Sequence, residues 1–374
     1  MTKIFLVRHG EAEGNYYRRC QGQFDAPLTD LGRQQAETLR ARFAGVETAA
    51  VYASDLQRAA DTVSIASGQR AAADKRLREV CFGVWEGRAW GNICREYPEE
   101  IENFLFTPYR FAVPGSESLD AVSKRMEEAL LEIGARHEGE TVMVGSHGMA
   151  IRVLTAKLMG IPRERLGEIR TPDNTAVSLV IYENGRLRSE SYNDTEHLPE
   201  SLRGSGKRKW LGKNGFSDTN LRFEPMDVEK ERKLYLDCYR DAWQGAHGSL
   251  LGFDETACWL GAMCRARTSN RAVQSIWQGD SFAGVLALDE LRGEHHGYGW
   301  VSFLYLRPEM RGKGFGIQLI GEAVSRFREL GRQRIRLCTA PHNAALGFYE
   351  HLGFVHCGSE PGALGKLILL EKEL

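Results

Sequence analysis

The stretch LVRHGEAEGN, residues 6–15, determines how the first half of the chain is interpreted. Its apolar start has the length of a buried strand, and that strand ends on Arg8, His9 and Gly10 in succession, with Asn15 close behind. Charged and polar side chains at the carboxyl end of a buried strand are typical of ligand sites in parallel α/β sheets. The stretch therefore predicts a strand followed by a turn that carries chemistry.

The length and composition of the chain indicate a two-domain protein. Its 374 residues are more than a single hydrophobic core usually accommodates. Its net charge of -1 does not indicate binding to nucleic acid or to an anionic membrane. No apolar stretch resembles a signal peptide or a membrane span, and the 8 cysteines are scattered without metal-ligand spacing. We expect a cytoplasmic protein with reduced thiols.

Strand and helix patterns alternate as far as about residue 198. Short apolar runs predict strands, and longer segments with helical periodicity lie between them. This alternation predicts a largely parallel sheet covered by helices on both faces, which is a three-layer α/β/α domain over residues 1–199. Arg8, His9, Ser146 and His147 all fall at the carboxyl ends of predicted strands.

Residues 200–219 predict a solvated linker. Glycines interrupt five basic residues between Arg203 and Lys213, and no acidic residue lies in that interval. A nucleic-acid or membrane patch is the alternative, but the glycines leave these charges without a fixed face. We therefore expect neither nucleic acid nor membrane as a partner.

Residues 220–374 predict a second domain with a different order of elements. A strand and two helices are followed by three successive strands, then by a helix, a strand, a helix and two final strands. This order predicts a mixed α/β fold, unlike the regular alternation of the first half.

The first half carries the groups that a phosphate pocket needs. A phosphoryl group carries close to two negative charges, and binding it away from water calls for guanidinium forks and other donors. Arg8 and His9 end one predicted strand, Arg58 lies on a helix after another, and His147 follows a third. All four can converge at one sheet edge, although each residue taken alone favours a structural salt bridge or a capped strand end.

Seven segments between the first residues and about Leu198 resemble the histidine phosphatase superfamily, in its branch of phosphoglycerate-mutase-like phosphatases. In chain order they are LVRHGEAEGN, QGQFDAPLTDLGRQQA, YASDLQRAADT, LREVCFGVWEG, PGSESL, VGSHGMAIRVL and YNDTEHL.

The resemblance implies roles for the residues that match these motifs. His9 would be the nucleophile that attacks phosphorus and forms a phosphohistidine. Glu79 would protonate the leaving oxygen and later deprotonate the attacking water. The residues that would hold the phosphoryl oxygens are Arg8, Asn15, Gln21, Arg58 and His147.

The resemblance favours hydrolysis over a phosphomutase reaction, because residues 1–199 lack the extra segments that mutases of this family carry. Arginines and histidines supply the charge that a metal ion would otherwise supply, so no metal is expected. Residues 87–118 correspond to the family's lid over the leaving group. Their aromatic side chains predict an organic, partly apolar alcohol or, equally, the core of the lid's own helices: Trp90, Tyr97, Phe104, Phe106, Tyr109 and Phe111.

The stretch LYLRPEMRGKGFGIQLIGEA, residues 304–323, carries the chemistry of the second half. A strand ends at a proline, an Arg-x-x-Gly-x-Gly loop begins at Arg311, and a helix with an apolar face follows. A glycine-rich turn that opens a helix presents unpaired amide groups to a pyrophosphate. The spacing does not match a Rossmann fingerprint, and a purely structural turn is the alternative.

This stretch and HNAALGFYEHLGF, residues 342–354, together resemble the acyl-CoA N-acyltransferases of the GNAT superfamily, from about Asn220 to the C-terminus. The resemblance implies acetyl-CoA as co-substrate, and a bulge around Tyr305 and Leu306 that exposes backbone to pantetheine. The residues that would bind the cofactor are Leu306, Arg311, Gly312, Lys313, Gly314, Phe315, Gly316 and Asn343. Asn343 stands one position after the family's usual asparagine, where this chain has His342.

Tyr349 matches the family tyrosine that protonates the departing thiolate, with a core tyrosine as the alternative. Candidates for a general base rest on residue type alone: Glu290, Glu294, His295 and His296. Acceptor specificity in the family comes from the first two helices and their loop, which here contain Trp243, His247, Phe253 and Trp259.

These patterns together predict a bifunctional enzyme. Its first half would hydrolyse a small-molecule phosphate ester, and its second half would acetylate a small amine with acetyl-CoA. One alternative makes the second half a non-catalytic module that binds acetyl-CoA and regulates the phosphatase. The other is a phosphoglycerate-mutase-like phosphomutase. The sequence does not indicate whether the protein is a monomer or an oligomer.

Overall fold

The structure is a computed structural model that describes residues 1–203 and 219–374. These residues form two compact units, one within 1–203 and one within 219–374, with Ala89–Asn92 grouped with the second. The predicted linker at 200–219 and its basic residues fall for the most part outside the described residues.

The first unit contains one six-stranded sheet. Its strands are β1 (Thr2–Arg8), β2 (Ala50–Ala53), β3 (Ala72–Ala73), β4 (Thr141–Ser146), β5 (Val177–Glu183) and β6 (Arg186–Asp194). Their spatial order is β3-β2-β4-β1-β5-β6, in which the first four are parallel and the last two are antiparallel. The predicted parallel sheet is confirmed for β1 to β4. The pattern did not predict β6, because its side chains are largely exposed and show no apolar alternation.

Helices cover both faces of this sheet. The helices described within residues 1–203 are α1 (Glu13–Tyr16), α2 (Asp30–Phe43), α3 (Gln57–Ser67), α4 (Trp90–Glu96), α5 (Pro98–Phe106), α6 (Leu119–Arg136) and α7 (Gly148–Leu158). Side chains alternate between the two faces of a strand. Val7 packs with Leu39 of α2 and Val63 of α3, whereas the Thr2 hydroxyl donates to the Gly134 carbonyl of α6. The three-layer α/β/α prediction is therefore confirmed.

The register of the central strands creates the site edge. Arg8 at the end of β1 pairs with Ser146 at the end of β4, and Ala53 at the end of β2 pairs with Gly145. Because the three strands are parallel, their carboxyl ends meet at one edge of the sheet. The next residues of each chain segment, which include His9 and His147, emerge side by side.

The second unit contains a seven-stranded sheet. Its strands are β7 (Leu221–Pro225), β8 (Val273–Gln278), β9 (Ser281–Asp289), β10 (Tyr298–Leu306), β11 (Arg334–Thr339), β12 (Val355–Gly362) and β13 (Gly365–Glu373). The order is β12-β13-β11-β10-β9-β8-β7, and the one parallel pair among the described strands of this second sheet is β10 with β11. This arrangement confirms the predicted mixed α/β fold.

Two of the second unit's helices share one core with the sheet. The helices described within residues 219–374 are α8 (Arg232–His247), α9 (Glu255–Ala266), α10 (Gly316–Glu329) and α11 (Leu346–His351). The two that share this core are α8 and α9. Tyr235 of α8 and Ala262 of α9 pack with Ala287 of β9 and Phe303 of β10. Phe327 of α10 lies directly against Gly299, where a Cβ would be 2.1 Å from its ring. The missing side chain of Gly299 therefore makes room for α10.

The bulge in β10 lies three residues earlier than predicted. The pairing of β10 with β9 shifts between Val301 and Phe303, which makes Ser302 the extra residue, and Tyr305 and Leu306 are paired regularly. An extra residue reverses which side chains face each side of a strand. Before the bulge, Gly299 faces α10 and packs under Phe327. After the bulge, Phe303 and Tyr305 face the other side of the sheet and pack in the core with α8.

No helix of the residues that the structure describes combines the length and apolarity needed to cross a membrane. All eight cysteines are free.

Candidate active sites

His9 and His147 lie together at the edge formed by β1 and β4. The His9 backbone N–H donates to the Ser146 carbonyl over 3.0 Å, and the two imidazole rings have centroids 5.2 Å apart. Both side chains are buried. The predicted convergence of the two strand ends therefore places one histidine beside the other.

Hydrogen bonding determines the tautomer of His9. Its Nδ1 lies 2.7 Å from the carbonyl oxygen of Gly10. Because a carbonyl can only accept, Nδ1 must carry the proton, and Nε2 keeps its lone pair. Burial, together with the Arg58 and Arg8 guanidinium groups, holds the pKa of His9 well below its usual value. The ring is therefore neutral at pH 7, as a nucleophile must be.

His147 is a buried ring without a local partner. Burial, together with the charges of Arg58 and Arg8, holds its pKa well below the usual value. Neither ring nitrogen has a hydrogen-bond partner within the part of the chain that the structure describes. Leaving buried polar atoms unpaired costs free energy unless a ligand satisfies them. His147 is therefore suited to contact a bound group.

Arg58 supplies a buried positive charge at the same edge. Its side chain is 1% exposed, and it donates to the carbonyls of Phe24 over 2.9 Å and Gly22 over 2.6 Å. Burial lowers the pKa of Arg58 to about 10, so the guanidinium remains charged at neutral pH. Arg8 is anchored by a hydrogen bond from Nη1 to the Pro172 carbonyl. Both predicted arginines are thus held in fixed positions near the histidines.

The glycine after His9 serves packing as well as access. A Cβ on Gly10 would lie 2.6 Å from the carbonyl oxygen of Gly32 in α2. On the other strand, a Cβ on Gly148 would lie 3.2 Å from Nε of Arg8. These glycines therefore let α2 and Arg8 approach the site.

Glu79 is held by backbone amides. Its Oε1 accepts from Val80 N over 3.0 Å and Ala150 N over 2.9 Å, and its Oε2 accepts from Met149 N over 3.0 Å. Met149 and Ala150 belong to the first turn of α7, directly after His147. The carboxyl group therefore caps that helix and lies at the same sheet edge as the histidines.

The two predicted amide donors differ in their surroundings. The Asn15 side-chain oxygen accepts from Ala12 N over 3.1 Å, which closes a turn. The Gln21 side chain packs against Gly14, where a Cβ would lie 2.0 Å from its Cγ. Its buried oxygen has no partner in the described ranges. Contact of either amide with a phosphate stays a prediction.

Three aromatic residues of segment 87–118 pack on Phe82 and Trp85, which precede the segment. Phe104 and Phe111 surround Trp85 and Phe82, with ring centroids between 4.9 and 6.0 Å apart, and Tyr97 lies 6.1 Å from Trp85. Phe106 is 66% exposed. These contacts favour the core alternative for Tyr97, Phe104 and Phe111, in a core that also includes Phe82 and Trp85.

Three polar residues near the site were not predicted. The Asn174 amide donates to the His9 carbonyl over 3.0 Å, and no sequence signal indicated it. Arg125 and Glu117 pair with each other and hold the backbone around Glu79. A signal for this pair was available, because Glu117 lies within the segment PGSESL and Arg125 follows on the helix that this segment opens.

In the second unit, a slot opens between β10 and β11. Their parallel pairing ends at Trp300 with Arg336, whereas β11 continues to Thr339 in pairing with β13. The backbone of β10 after the bulge at Ser302 is thus separated from β11 and available to an extended ligand. The predicted separation is present, although the bulge is not at Tyr305 and Leu306.

The glycine loop requires its glycines for backbone conformation. Gly312 and Gly314 have φ of +71° and +79°, in the left-handed region. Arg311 donates from Nε to the Leu306 carbonyl over 2.8 Å and pairs with Asp241 over 2.9 Å. A Cβ on Gly316 would lie 2.8 Å from the Phe348 ring. The loop therefore leads from the end of β10 directly into α10.

The start of α10 leaves amide groups for an anion. Phe315 is its N-cap and offers no side-chain cap, and Lys313 is exposed. Amides at such a helix start suit a pyrophosphate. The open strand and this loop therefore fit acetyl-CoA, which would supply an activated acyl thioester when bound.

Tyr349 is buried against Phe348 and Phe354, with centroids 5.3 and 5.7 Å away. Burial raises the pKa of Tyr349 to about 12, so the phenol keeps its proton at neutral pH. Asn343 accepts from Ala345 N over 2.9 Å and thereby caps the turn before α11.

Two candidate bases are occupied elsewhere. Glu290 accepts from Arg326 over 2.7 Å, and Glu294 from Arg332 over 3.1 Å. Burial raises the pKa of Glu290, but hydrogen bonds from Arg326 and Ser269 outweigh that effect and leave it below its usual value. Both carboxylates are engaged in ion pairs, so neither is favoured as a base.

Three of the four predicted acceptor-region residues form an aromatic cluster. Trp243 lies 4.5 Å from His247 and 5.8 Å from Phe253, measured between ring centroids. Trp259 is apart from them and packs under Arg232 at 4.3 Å.

Comparison with known proteins agrees with this geometry. The family model of the histidine phosphatase superfamily (branch 1) matches residues 4–195, and that of the acetyltransferase (GNAT) family matches residues 229–354. Phosphoserine phosphatase 1 of Hydrogenobacter thermophilus is 30% identical over 203 residues, which cover 54% of this chain and 96% of that protein. Phosphoglycerate mutase-like protein 4 of Arabidopsis thaliana is 32% identical over 207 residues, covering 54% of this chain and 88% of that protein.

A solved structure shows the same fold in the first half. Bacillus stearothermophilus YhfR is 36% identical, with a TM-score of 0.51, and the match covers 53% of this chain and 99% of that one. These three matches cover about half of the chain, and the GNAT family model accounts for much of the remainder. The chain therefore belongs to the histidine phosphatase superfamily, and its C-terminal part is a GNAT acetyltransferase-family domain.

Proposed function

We propose that the first domain hydrolyses phosphomonoesters through a phosphohistidine at His9. The observation that carries this proposal is the neutral His9 ring, whose Nδ1 is tied to the Gly10 carbonyl and whose Nε2 keeps its lone pair. Arg58 and the unpartnered ring of His147 lie beside it. This combination is what a nucleophile for a dianionic phosphoryl group requires.

The reaction proceeds in two steps, formation of the phosphohistidine and its hydrolysis. In the first, the Nε2 lone pair of His9 forms a bond to phosphorus, the P–O ester bond breaks, and the leaving oxygen takes a proton from Glu79. In the second, water attacks phosphorus and gives a proton to Glu79, while the P–N bond breaks and returns its electron pair to His9. Arg8, Arg58 and His147 stabilise charge on the phosphoryl oxygens throughout.

The second domain is proposed to acetylate a small amine with acetyl-CoA. Leu306 and the following loop would hold the cofactor, and the buried, protonated Tyr349 would give its proton to the departing thiolate. We place the domain boundaries at 1–199 and 220–374, with residues 200–219 as linker. No metal is required by either proposal, so phosphate release is expected to be unchanged by chelators.

Phosphoserine is the first substrate to test. It combines a phosphate ester with a primary amine, and one of the relatives above is named phosphoserine phosphatase 1. The purified protein is incubated with phosphoserine and other phosphorylated primary amines, with and without acetyl-CoA, while inorganic phosphate and free thiol are measured. A compound that yields both inorganic phosphate and free thiol would be a substrate of both domains.

His9→Ala is the direct control. Phosphate release that persists in this variant would contradict the phosphohistidine mechanism. Phosphoryl transfer to a second position of the same compound, with little free phosphate, would favour a mutase instead.

A regulatory second domain is the competing function. The ion pairs of Glu290 and Glu294 favour it, because they remove two candidate bases. Titration of acetyl-CoA against the phosphatase rate distinguishes the two. A changed rate without thiol release would support regulation, and thiol release would support catalysis.

A further inference from the structure

Arg125 is bound to the segment that presents Glu79. From α6, its Nη1 donates to the carbonyl oxygens of Arg76 over 2.7 Å and Arg78 over 2.6 Å. Its Nη2 donates to the carbonyl oxygen of Glu79 itself over 2.9 Å. One guanidinium therefore contacts three carbonyls within four consecutive residues.

Glu117 holds Arg125 in this orientation. Its Oε1 accepts from Nε of Arg125 over 2.7 Å, and its Oε2 accepts from Nη2 over 2.8 Å. The backbone N–H of Glu117 also donates to the Cys81 carbonyl over 2.9 Å. The side chains of Arg125 and Glu117 are 17% and 21% exposed. This bidentate pair is shielded enough to keep a fixed geometry.

The pair acts on both sides of Glu79. Arg125 holds the backbone from Arg76 to Glu79, and Glu117 holds Cys81, while the Glu79 carboxyl is oriented by the amides of Val80, Met149 and Ala150. A proton donor must lie within hydrogen-bond distance of the leaving oxygen, and a displacement of 1 Å is costly.

We propose that Arg125, supported by Glu117, is a positioning residue for Glu79. It keeps the carboxyl at the distance that protonation of the leaving oxygen requires. The proposal rests on the phosphatase function proposed above. It predicts a defect that depends on the leaving group, because only a poor leaving group needs the proton as the P–O bond breaks.

The test compares two substrates through kcat/KM, which reports steps up to ester cleavage. Phosphoserine has a poor alkoxide leaving group, and p-nitrophenyl phosphate has a good one. In Arg125→Lys and Glu117→Gln, kcat/KM for phosphoserine is expected to fall about tenfold to hundredfold. For p-nitrophenyl phosphate it is expected to fall less than about threefold.

A double-mutant cycle separates positioning from general structure. In a Glu79→Gln background, Arg125→Lys is expected to cause no further loss with phosphoserine, because the group that it positions is already absent. Arg136→Met is the matched control, since Arg136 forms an ion pair with Glu132 on the same helix. Circular dichroism and thermal unfolding confirm that each variant is folded.

Each result has one meaning. Equal losses for both substrates, no loss for either, or a loss that persists in the Glu79→Gln background would overturn the positioning role. A wild-type protein that releases phosphate from neither substrate would overturn the proposed phosphatase, and this inference with it.

Discussion

His9 and His147 are two neutral rings buried beside two arginines, and this arrangement links stability to pH. Their pKa values in the folded protein are lowered, mainly by burial, whereas an unfolded histidine titrates near 6.5. Below that pH the unfolded chain binds protons that the folded site does not. The folded state is thus favoured above pH 6.5 and loses stability as the pH falls.

As the pH is lowered from 6.5, we expect the unfolding free energy of the first domain to decrease by about 1.4 kcal/mol per pH unit for each of the two histidines. Urea denaturation between pH 7.5 and 5 measures this slope. His147→Asn removes one of the two groups and should make the slope shallower. An unchanged slope would show that His147 is not buried as a neutral ring.

Tyr349 is expected to act as a proton donor rather than as a core residue only. Tyr349→Phe removes the hydroxyl and should lower the rate of thiol release about hundredfold, with acetyl-CoA affinity unchanged. Thiol release and calorimetry measure the two effects. Tyr298→Phe, the same change at the start of β10, should leave both unchanged. If Tyr349→Phe retained full activity, the core-tyrosine alternative would be preferred.

The loop between β10 and α10 depends on two glycines with positive φ. Gly312→Ala or Gly314→Ala places a side chain in the left-handed region, at a cost of roughly 1–2 kcal/mol, and should change the path of the loop. We expect the acetyl-CoA dissociation constant to rise at least about tenfold, measured by calorimetry.

Gly331→Ala is the matched control for this loop. Gly331 has φ of +70°, and, as at Gly312 and Gly314, a Cβ there would meet no described atom within 4 Å. It should therefore lose similar stability without weakening acetyl-CoA binding. Equal loss of affinity in all three variants would indicate that strain alone, and not the loop's position, reduces binding.

The bulge in β10 shows why an element can be predicted while its detail cannot. A strand that ends before the proline of this stretch was expected and is found over Tyr298–Leu306. The extra residue is Ser302 because Gly299 must meet Phe327 of α10 while Phe303 must meet the core of α8. These requirements come from two different helices, and no local pattern within the strand contains them.

The two domains are expected to respond to different ligands. A ligand stabilises the domain that binds it, by about 2.7 kcal/mol at a hundred times its dissociation constant. Acetyl-CoA should raise one unfolding transition, and orthovanadate, an analogue of the phosphoryl group, should raise another. Differential scanning calorimetry with each ligand measures this. A single transition that both ligands raise equally would show that the domains unfold as one unit.

The order of the motifs by itself determined the two folds and most of the site. Arg8, His9 and His147 could be placed together because parallel strands end at one sheet edge, a rule that the strand pattern is enough to invoke. The Gly312 and Gly314 loop was predictable for a similar reason, since it joins a strand directly to a helix.

Only the tertiary structure decided which of these groups are free and which are occupied. The ion pairs of Glu290 and Glu294 depend on neighbours distant in the sequence. The His9 tautomer and the unpartnered ring of His147 depend on how the folded chain orients the two side chains. The clamp of Arg125 on Glu79 joins residues 46 positions apart. Such contacts follow from three-dimensional packing, because hydrogen bonds depend on distances and angles that the order of residues does not contain.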